Sequence, residues 1–258
     1  MSILIVELLD CGIVFGADQN VDIPNQDDPN KEIKIFKWPR EDVLFGYVGV
    51  ARLGGLDIKK WLDSQLSQFT NRMRLSEIAE HLRDQIEKQY LEDNYSTNPP
   101  LIVHLGGYEY SEWGYIPQIW HIANVKRLGR FNYLEFTREF YCVDGFAVEM
   151  RKREVSDLEI QDYLCVLAKQ FNPFWFHQGF DYMAFNILEQ AVKQAYKGLC
   201  SVHPDSDFVL PRNIEDWEKQ VRFSILMYGA YFQAYKPRNE QYVGGEADTL
   251  AIPWPKFK

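Results

Sequence analysis

Two sets of residues in this chain have the chemistry of a site. The first is the histidines and cysteines. His81, His104, His121, His177 and His203 are scattered, as are Cys11, Cys142, Cys165 and Cys200. No Cys-x-x-Cys pair and no HExxH spacing joins them, so the expectation is reduced core thiols and surface or hydrogen-bonded histidines, with no metal site, no cofactor and no disulfide frame. The second set is the amino end. MSILIVELLDCGIVFGAD places Ser2 at the head of an apolar run. Most chains fray at their ends, so a terminus tied into a core is either an accident of packing or a place where the terminal amine is needed. A serine hydroxyl is a weak nucleophile until a base takes its proton. The free α-amine of the same residue, with an ordinary pKa of about 7.7 to 8.0, can be that base, and no histidine is then required. As translated, that nitrogen is an amide bonded to Met1. The chemistry therefore needs Met1 removed, which a small second residue such as serine generally permits.

Composition sets the surroundings. The chain has 258 residues, 46% hydrophobic and 25% charged, enough for a sizeable core. Its net charge of -9 repels phosphates and anionic lipid, so neither nucleic acid nor a membrane is an expected partner. No apolar run approaches the roughly eighteen residues of a membrane span, and the start lacks a basic region followed by a cleavage site. A soluble cytoplasmic protein is expected. No GxxxxGK[ST] motif is present, so energy-dependent unfolding of a substrate would need a separate ATPase unfoldase.

The elements that must position the amino end begin as strands. Ser2 to Leu9 and Ile13 to Ala17 flank Asp10-Cys11-Gly12 as a first hairpin. Lys34 to Trp38 and Val43 to Val50 flank PRED as a second, with VDIPNQDDPN a solvated loop between the hairpins. From Gly55 the period becomes helical. LDIKKWLDSQLSQF and SEIAEHLRDQIEKQYLE space apolar residues three and four apart, as in Ile78, Leu82, Ile86 and Tyr90. LIVHLGGY and YIPQIWHIANV then read as a strand pair about YEYSEWG, with another extended stretch near FYCVDGFAVEM. Ser156 with Glu159 forms a capping box before a helix to about Gln170, and helical spacing returns over Asp181 to Tyr196 and Ile214 to Tyr231. ADTLAI is the last strand. Strands apolar on both faces, with helices in separate blocks, predict an α+β fold: two sheets packed face to face with helix layers outside, in one domain spanning 1–258.

SILIVELLDCGIVFGAD, KIFKW, LFGYVGVA and LIVHLGGYEYSEWGYIPQIWHI resemble the proteasome-type branch of the N-terminal nucleophile hydrolases, in particular bacterial proteasome-like proteins that lack a long propeptide. The resemblance implies a four-layer αββα sandwich and a nucleophile at the first residue of the mature chain. It also implies an aspartate and a lysine sixteen and thirty-two positions later. Counted from Ser2, those positions hold Asp18 and Lys34. In that arrangement the Lys34 ammonium disfavours protonation of the nearby amine, and Asp18 holds the lysine charged and oriented. Gly49, in GYVGVA, is the candidate for the backbone N–H that meets the oxyanion. Val21, Phe36, Tyr47 and Ala51 would line the pocket for the side chain before the scissile bond, implying an apolar or aromatic preference. The family's rings and related assemblies imply a homo-oligomer.

The pattern weakens elsewhere. Where the family places a Ser-Gly near the start of a central helix, this chain has Gln178-Gly179. Where it places Asp-x-x-Ser-Gly before the final strand, Glu240-Gln241-Tyr242-Val243-Gly244 stands. Gln178 and Glu240 can still hydrogen-bond in support of the amine, but Val243 cannot. The region of about 130–173 is expanded, and the aromatic-rich NPFWFHQGFDYMAF that starts at its end reads first as core or subunit-contact packing. Two functions are therefore expected to compete: an amide hydrolase, most simply a peptidase acting on unfolded or short peptides or on a small amide, and a non-catalytic structural or interaction subunit of a homo-oligomer.

Overall fold

The computed structural model describes residues 3–9, 11–21, 30–65, 68–69, 73–94, 101–111, 114–124, 137–142, 182–202, 211–235 and 245–255. The chain divides into two compact units, Met1–Phe36 with Phe171–Trp254, and Lys37–Gln170 with Pro255–Lys258.

In the first unit, strands β1 (Leu4–Leu9) and β2 (Gly12–Asp18) form the expected hairpin, with Leu4 opposite Ala17 and Leu9 opposite Gly12. The short pair β3 (Asn20–Val21) and β4 (Asn30–Lys31) follows, and β5 (Ile35–Lys37) carries the chain across the unit boundary. The last strand, to be numbered β12 (Ala247–Pro253), pairs antiparallel with the other edge of β2, so the order is β1-β2-β12. β2 is thus central in this sheet, and all seven of its residues are buried. Ile3, Ile5 and Val14 meet Val192, Val221 and Ile225 in one core cluster, which lays two helices over the sheet: Tyr182–Val202 and Ile214–Tyr235. A Cβ on Gly16 would come within 2.4 Å of Val221 Cγ1 and 2.7 Å of Ile225 Cδ1, so the glycine is what lets the second helix approach β2 this closely.

The second unit is built on a longer antiparallel ladder. β6 (Val43–Gly49) is followed by the small pair β7 (Arg52–Leu53) and β8 (Leu56–Asp57), then by helices α1 (Ile58–Gln65) and α2 (Leu75–Glu92). Asp57 Oδ1 accepts from the Lys60 N–H at 2.9 Å and caps α1. The Arg74 N–H donates to Glu77 Oε2 at 2.8 Å at the start of α2, and the Leu75 N–H donates to Glu109 Oε1 from the sheet. Ile78, Leu82, Ile86 and Tyr90 form the buried face of α2, as their spacing predicts. β9 (Leu101–Ser111), β10 (Gly114–Ala123) and β11 (Thr137–Cys142) complete the ladder, so that β6, β9, β10 and β11 lie side by side. In the numbering used below, Tyr182–Val202 is α3 and Ile214–Tyr235 is α4.

Several boundaries differ from the sequence expectation: Val21 and Asn30, the ends of the expected loop, pair in β3 and β4, and Leu56–Asp57 form β8 before α1 begins at Ile58. The β9–β10 ladder continues through most of YEYSEWG to the Gly114–Ser111 pair, because its tyrosines favour a paired, pleated strand over a turn. β11 starts earlier than the FYCVDGFAVEM stretch suggested, and the continuation beyond Cys142 lies outside the described residues. So does the predicted helix from Ser156 to Gln170.

Candidate active site

The β1–β2 register brings the chain's start against the end of β2. With Leu4 opposite Ala17, Ile3 reaches Asp18, and the two exchange bonds: the Ile3 N–H donates to Asp18 Oδ1 at 2.7 Å, and the Asp18 N–H donates to the Ile3 carbonyl at 3.3 Å. Lys34 Nζ donates to the same Oδ1 at 3.0 Å. Lys34 and Asp18 are each 1% exposed. One carboxylate oxygen therefore fastens both the backbone of the residue that follows Ser2 and a buried ammonium.

Electrostatics at this pair is a contest. Burial disfavours the charged form of Lys34 and wins, holding its pKa below the usual lysine value. Asp18 opposes that shift as a charge and as a hydrogen-bond acceptor, and Glu32 and Asp248 oppose it as charges. A buried ion pair of this kind is costly to desolvate and is weak evidence for stability by itself. Its placement against Ile3, the residue after Ser2, is what calls for a chemical explanation.

The structure thus brings Asp18 and Lys34 together. Ser2, Gln178 and Glu240 lie outside the described residues. Of the expected pocket residues in the first unit, Val21 is in β3 and Phe36 is buried in β5. Gly49, Tyr47 and Ala51 belong to the second unit. Gly49 ends β6 with a φ of 111°, in the region that residues with side chains rarely adopt, so the backbone there demands glycine. Tyr47 is buried with its ring 6.5 Å from that of Phe45, and the Ala51 carbonyl accepts from the Ile58 N–H at 3.0 Å, fixing the entry to α1.

Two features escaped sequence reasoning. Gln19 donates from Nε2 to Asp248 Oδ1 at 2.8 Å, across 229 positions, a relation that no local spacing announces. Glu32 was legible in principle, since it sits two residues before Lys34 and an extended chain puts such residues on one side. The histidines also prove less scattered than their numbering. His104 and His121 are cross-strand partners in β9 and β10, both buried, with His121 Nδ1 3.3 Å from His104 Nε2. Gly46 is the residue opposite His104 on its other side. No group of three metal-ligating side chains occurs among the described residues, and no described helix is long and apolar enough to cross a membrane.

No protein-family model and no curated protein sequence matches the chain. Solved structures do. Anbu (ancestral beta-subunit) from Yersinia bercovieri is 13% identical over 98% of this chain and 81% of its own, with a TM-score of 0.50. Thiobacillus denitrificans BPH, in complex with epoxomicin, is 11% identical over 99% of this chain and all of its own, at 0.49. HslV from Trypanosoma brucei is 10% identical over 98% of this chain, at 0.38. At such identities the likeness speaks for the backbone and leaves the site to be argued from its own residues. With antiparallel sheets, helices and a match spanning nearly the whole chain, the fold is that of the proteasome-type N-terminal nucleophile hydrolases.

Proposed function

We propose that the protein is an N-terminal nucleophile amide hydrolase, a peptidase whose nucleophile is Ser2 once Met1 has been removed. The observation that carries this reading is the buried Lys34–Asp18 pair hydrogen-bonded to the Ile3 N–H. In the reaction, the Ser2 α-amine takes the proton from Oγ, and Oγ attacks the amide carbonyl carbon. The Gly49 N–H stabilises the oxyanion, the ammonium returns its proton to the leaving nitrogen, and the C–N bond breaks. Water, deprotonated by the same amine, then hydrolyses the acyl-Ser2 ester. The cationic form of Lys34 keeps the amine neutral and available; Asp18 orients Lys34 and the strand that leads from Ser2. Gln178 and Glu240 supply hydrogen bonds around the amine, and Val21, Phe36, Tyr47 and Ala51 favour an apolar or aromatic side chain before the scissile bond. The same proposal includes the single domain, the four-layer αββα arrangement, a homo-oligomer, a cytoplasmic site of action and a separate ATPase for folded substrates.

A peptide epoxyketone or β-lactone followed by mass spectrometry tests it. The expected result is one adduct on Ser2 of a chain lacking Met1, absent from Ser2→Ala. An adduct that persists in Ser2→Ala removes Ser2 as nucleophile. Val243, where the family has serine, favours a second reading, a non-catalytic subunit that keeps the fold and assembles. Absence of both labelling and peptide turnover in protein shown to begin at Ser2 would support that alternative.

A further inference from the structure

β6 ends at Gly49, and only Val50 and Ala51 separate it from the β7–β8 hairpin. Arg52 pairs with Asp57 and Leu53 with Leu56, so Gly54-Gly55 forms a two-residue turn. Both turn glycines have positive φ, 57° and 75°, as that tight connection demands. The bond that closes such a turn joins the residues on either side of the glycines, so the Gly54 N–H needs a partner from elsewhere. It finds one at the end of α2. Asp93 Oδ2 accepts from the Gly54 N–H at 2.8 Å, and Asp93 Oδ1 accepts from Gln89 Nε2 at 2.9 Å. Gln89 Oε1 in turn accepts from Trp61 Nε1 at 3.2 Å, and Trp61 is buried on α1, the helix into which β8 runs. Asn94, with a φ of 48°, turns the chain away from α2 directly after Asp93. A carboxylate at a helix C-terminus opposes the helix dipole. The stability of α2 therefore does not account for Asp93, whereas its bonds to the hairpin and to Gln89 do.

We propose that Asp93 and Gln89 are positioning residues for the Gly49 N–H: they tie the β7–β8 turn to α1 and α2, and the short tether through Val50 and Ala51 passes that constraint to the end of β6. All of these residues belong to the second unit. The segment is held at both ends. Upstream, Gly49 stands opposite Leu101, whose N–H donates to Asn124 Oδ1 at 2.8 Å. Downstream, the Ala51 carbonyl accepts from the Ile58 N–H at 3.0 Å at the foot of the hairpin. Gly49 itself has a φ of 111°, outside the range of a regular strand. A peptide in so sparsely populated a conformation keeps its direction while its surroundings over-determine it, and here the downstream surroundings are a hairpin anchored by one carboxylate and one amide. The consequence for catalysis rests on the hydrolase reading above, in which the Gly49 N–H meets the oxyanion; the hold on the segment does not.

The test reads the segment first, by hydrogen exchange and mass spectrometry of the full-length protein on peptides covering 47–58. Asp93→Ala is expected to speed exchange there about tenfold. Gln89→Leu should act in the same sense, and the two together should go no further than the larger single effect. Asp93→Asn keeps a carbonyl oxygen for the Gly54 N–H and should restore most of the protection; with Gln89→Leu it carries the test if Asp93→Ala does not fold. Asp84→Ala, which removes another carboxylate from α2, is the control. Exchange over 47–58 in Asp93→Ala and Gln89→Leu no faster than in Asp84→Ala overturns the proposal. The second readout is epoxyketone labelling of Ser2. An oxyanion donor acts in the transition state and not on bound inhibitor. Asp93→Ala should therefore lower the maximal labelling rate about tenfold and leave the half-saturating inhibitor concentration within about twofold, with the rate recovered in Asp93→Asn. A loss confined to inhibitor affinity, or parent-like labelling despite faster exchange, overturns the positioning role. Parent protein that never labels would count against the hydrolase reading, while the exchange rates still decide whether Asp93 and Gln89 hold the segment.

Discussion

Asp18 is the residue on which two buried donors converge, so its replacement has a cost larger than one hydrogen bond. Asp18→Ala strips the carboxylate from a lysine that remains 1% exposed, and losing one partner of a buried pair costs about 3–5 kcal/mol. We expect a fall of that size in urea unfolding, together with loss of Ser2 labelling. Asp18→Leu combined with Lys34→Met should regain most of the stability and none of the labelling, which separates the pair's folding role from its chemical one. A second residue-scale prediction concerns His104. Burial, followed by the neighbouring His121, holds its pKa well below that of a free imidazole. The unfolded chain therefore binds a proton near pH 6.5 that the folded chain resists. The sign follows: stability from this group is complete above about pH 6.5 and falls on acidification, by up to about 1.4 kcal/mol per pH unit until the folded value is reached. Urea midpoints between pH 7.5 and 5 should show a shallower acid loss in His104→Phe than in the parent.

Among the elements, the β1–β2 hairpin is packed closely by its covering helix α4. Gly16 faces α4 at a distance that leaves no room for a methyl group. Gly16→Ala should cost about 1–3 kcal/mol, as overpacking does, read as a lowered urea midpoint; an unchanged midpoint would mean that α4 adjusts freely. The amino-end hairpin was legible because Gly12 lies between two apolar runs of matching length, and α2 because Ile78, Leu82, Ile86 and Tyr90 mark one stripe. The His104–His121 pair was not. Strand pairing slips by one residue without any change in local composition, and a slip moves every side chain to the opposite face. The turn at YEYSEWG gave a centre too broad to fix which histidine met which residue.

At the scale of the molecule, the proposal makes one cooperative body of the two units, and tryptophans report on each. Trp217 and Trp254 lie in the first, Trp38, Trp61 and Trp120 in the second. A single domain should lose both signals at one urea midpoint in single-tryptophan variants. Two separated midpoints would make the units independent domains. The native mass should be a multiple of 30.4 kDa by light scattering, whereas a monomer at working concentration would remove the homo-oligomer from the proposal.

The sequence by itself determined the longer strands and helices among the described residues, and its resemblance to a known family, through offsets counted from Ser2, singled out Asp18 and Lys34, which the structure joins. Those relations are short-range or counted from one end, and residue type and spacing suffice to express them. Only the tertiary structure decided that one oxygen of Asp18 serves both Ile3 and Lys34, and that Asp248, from the far end of the chain, joins Gln19. Such contacts are made by strand register and by β12 closing on β2. Many alternative partners of similar polarity could satisfy the same residues until the packed sheet selects one.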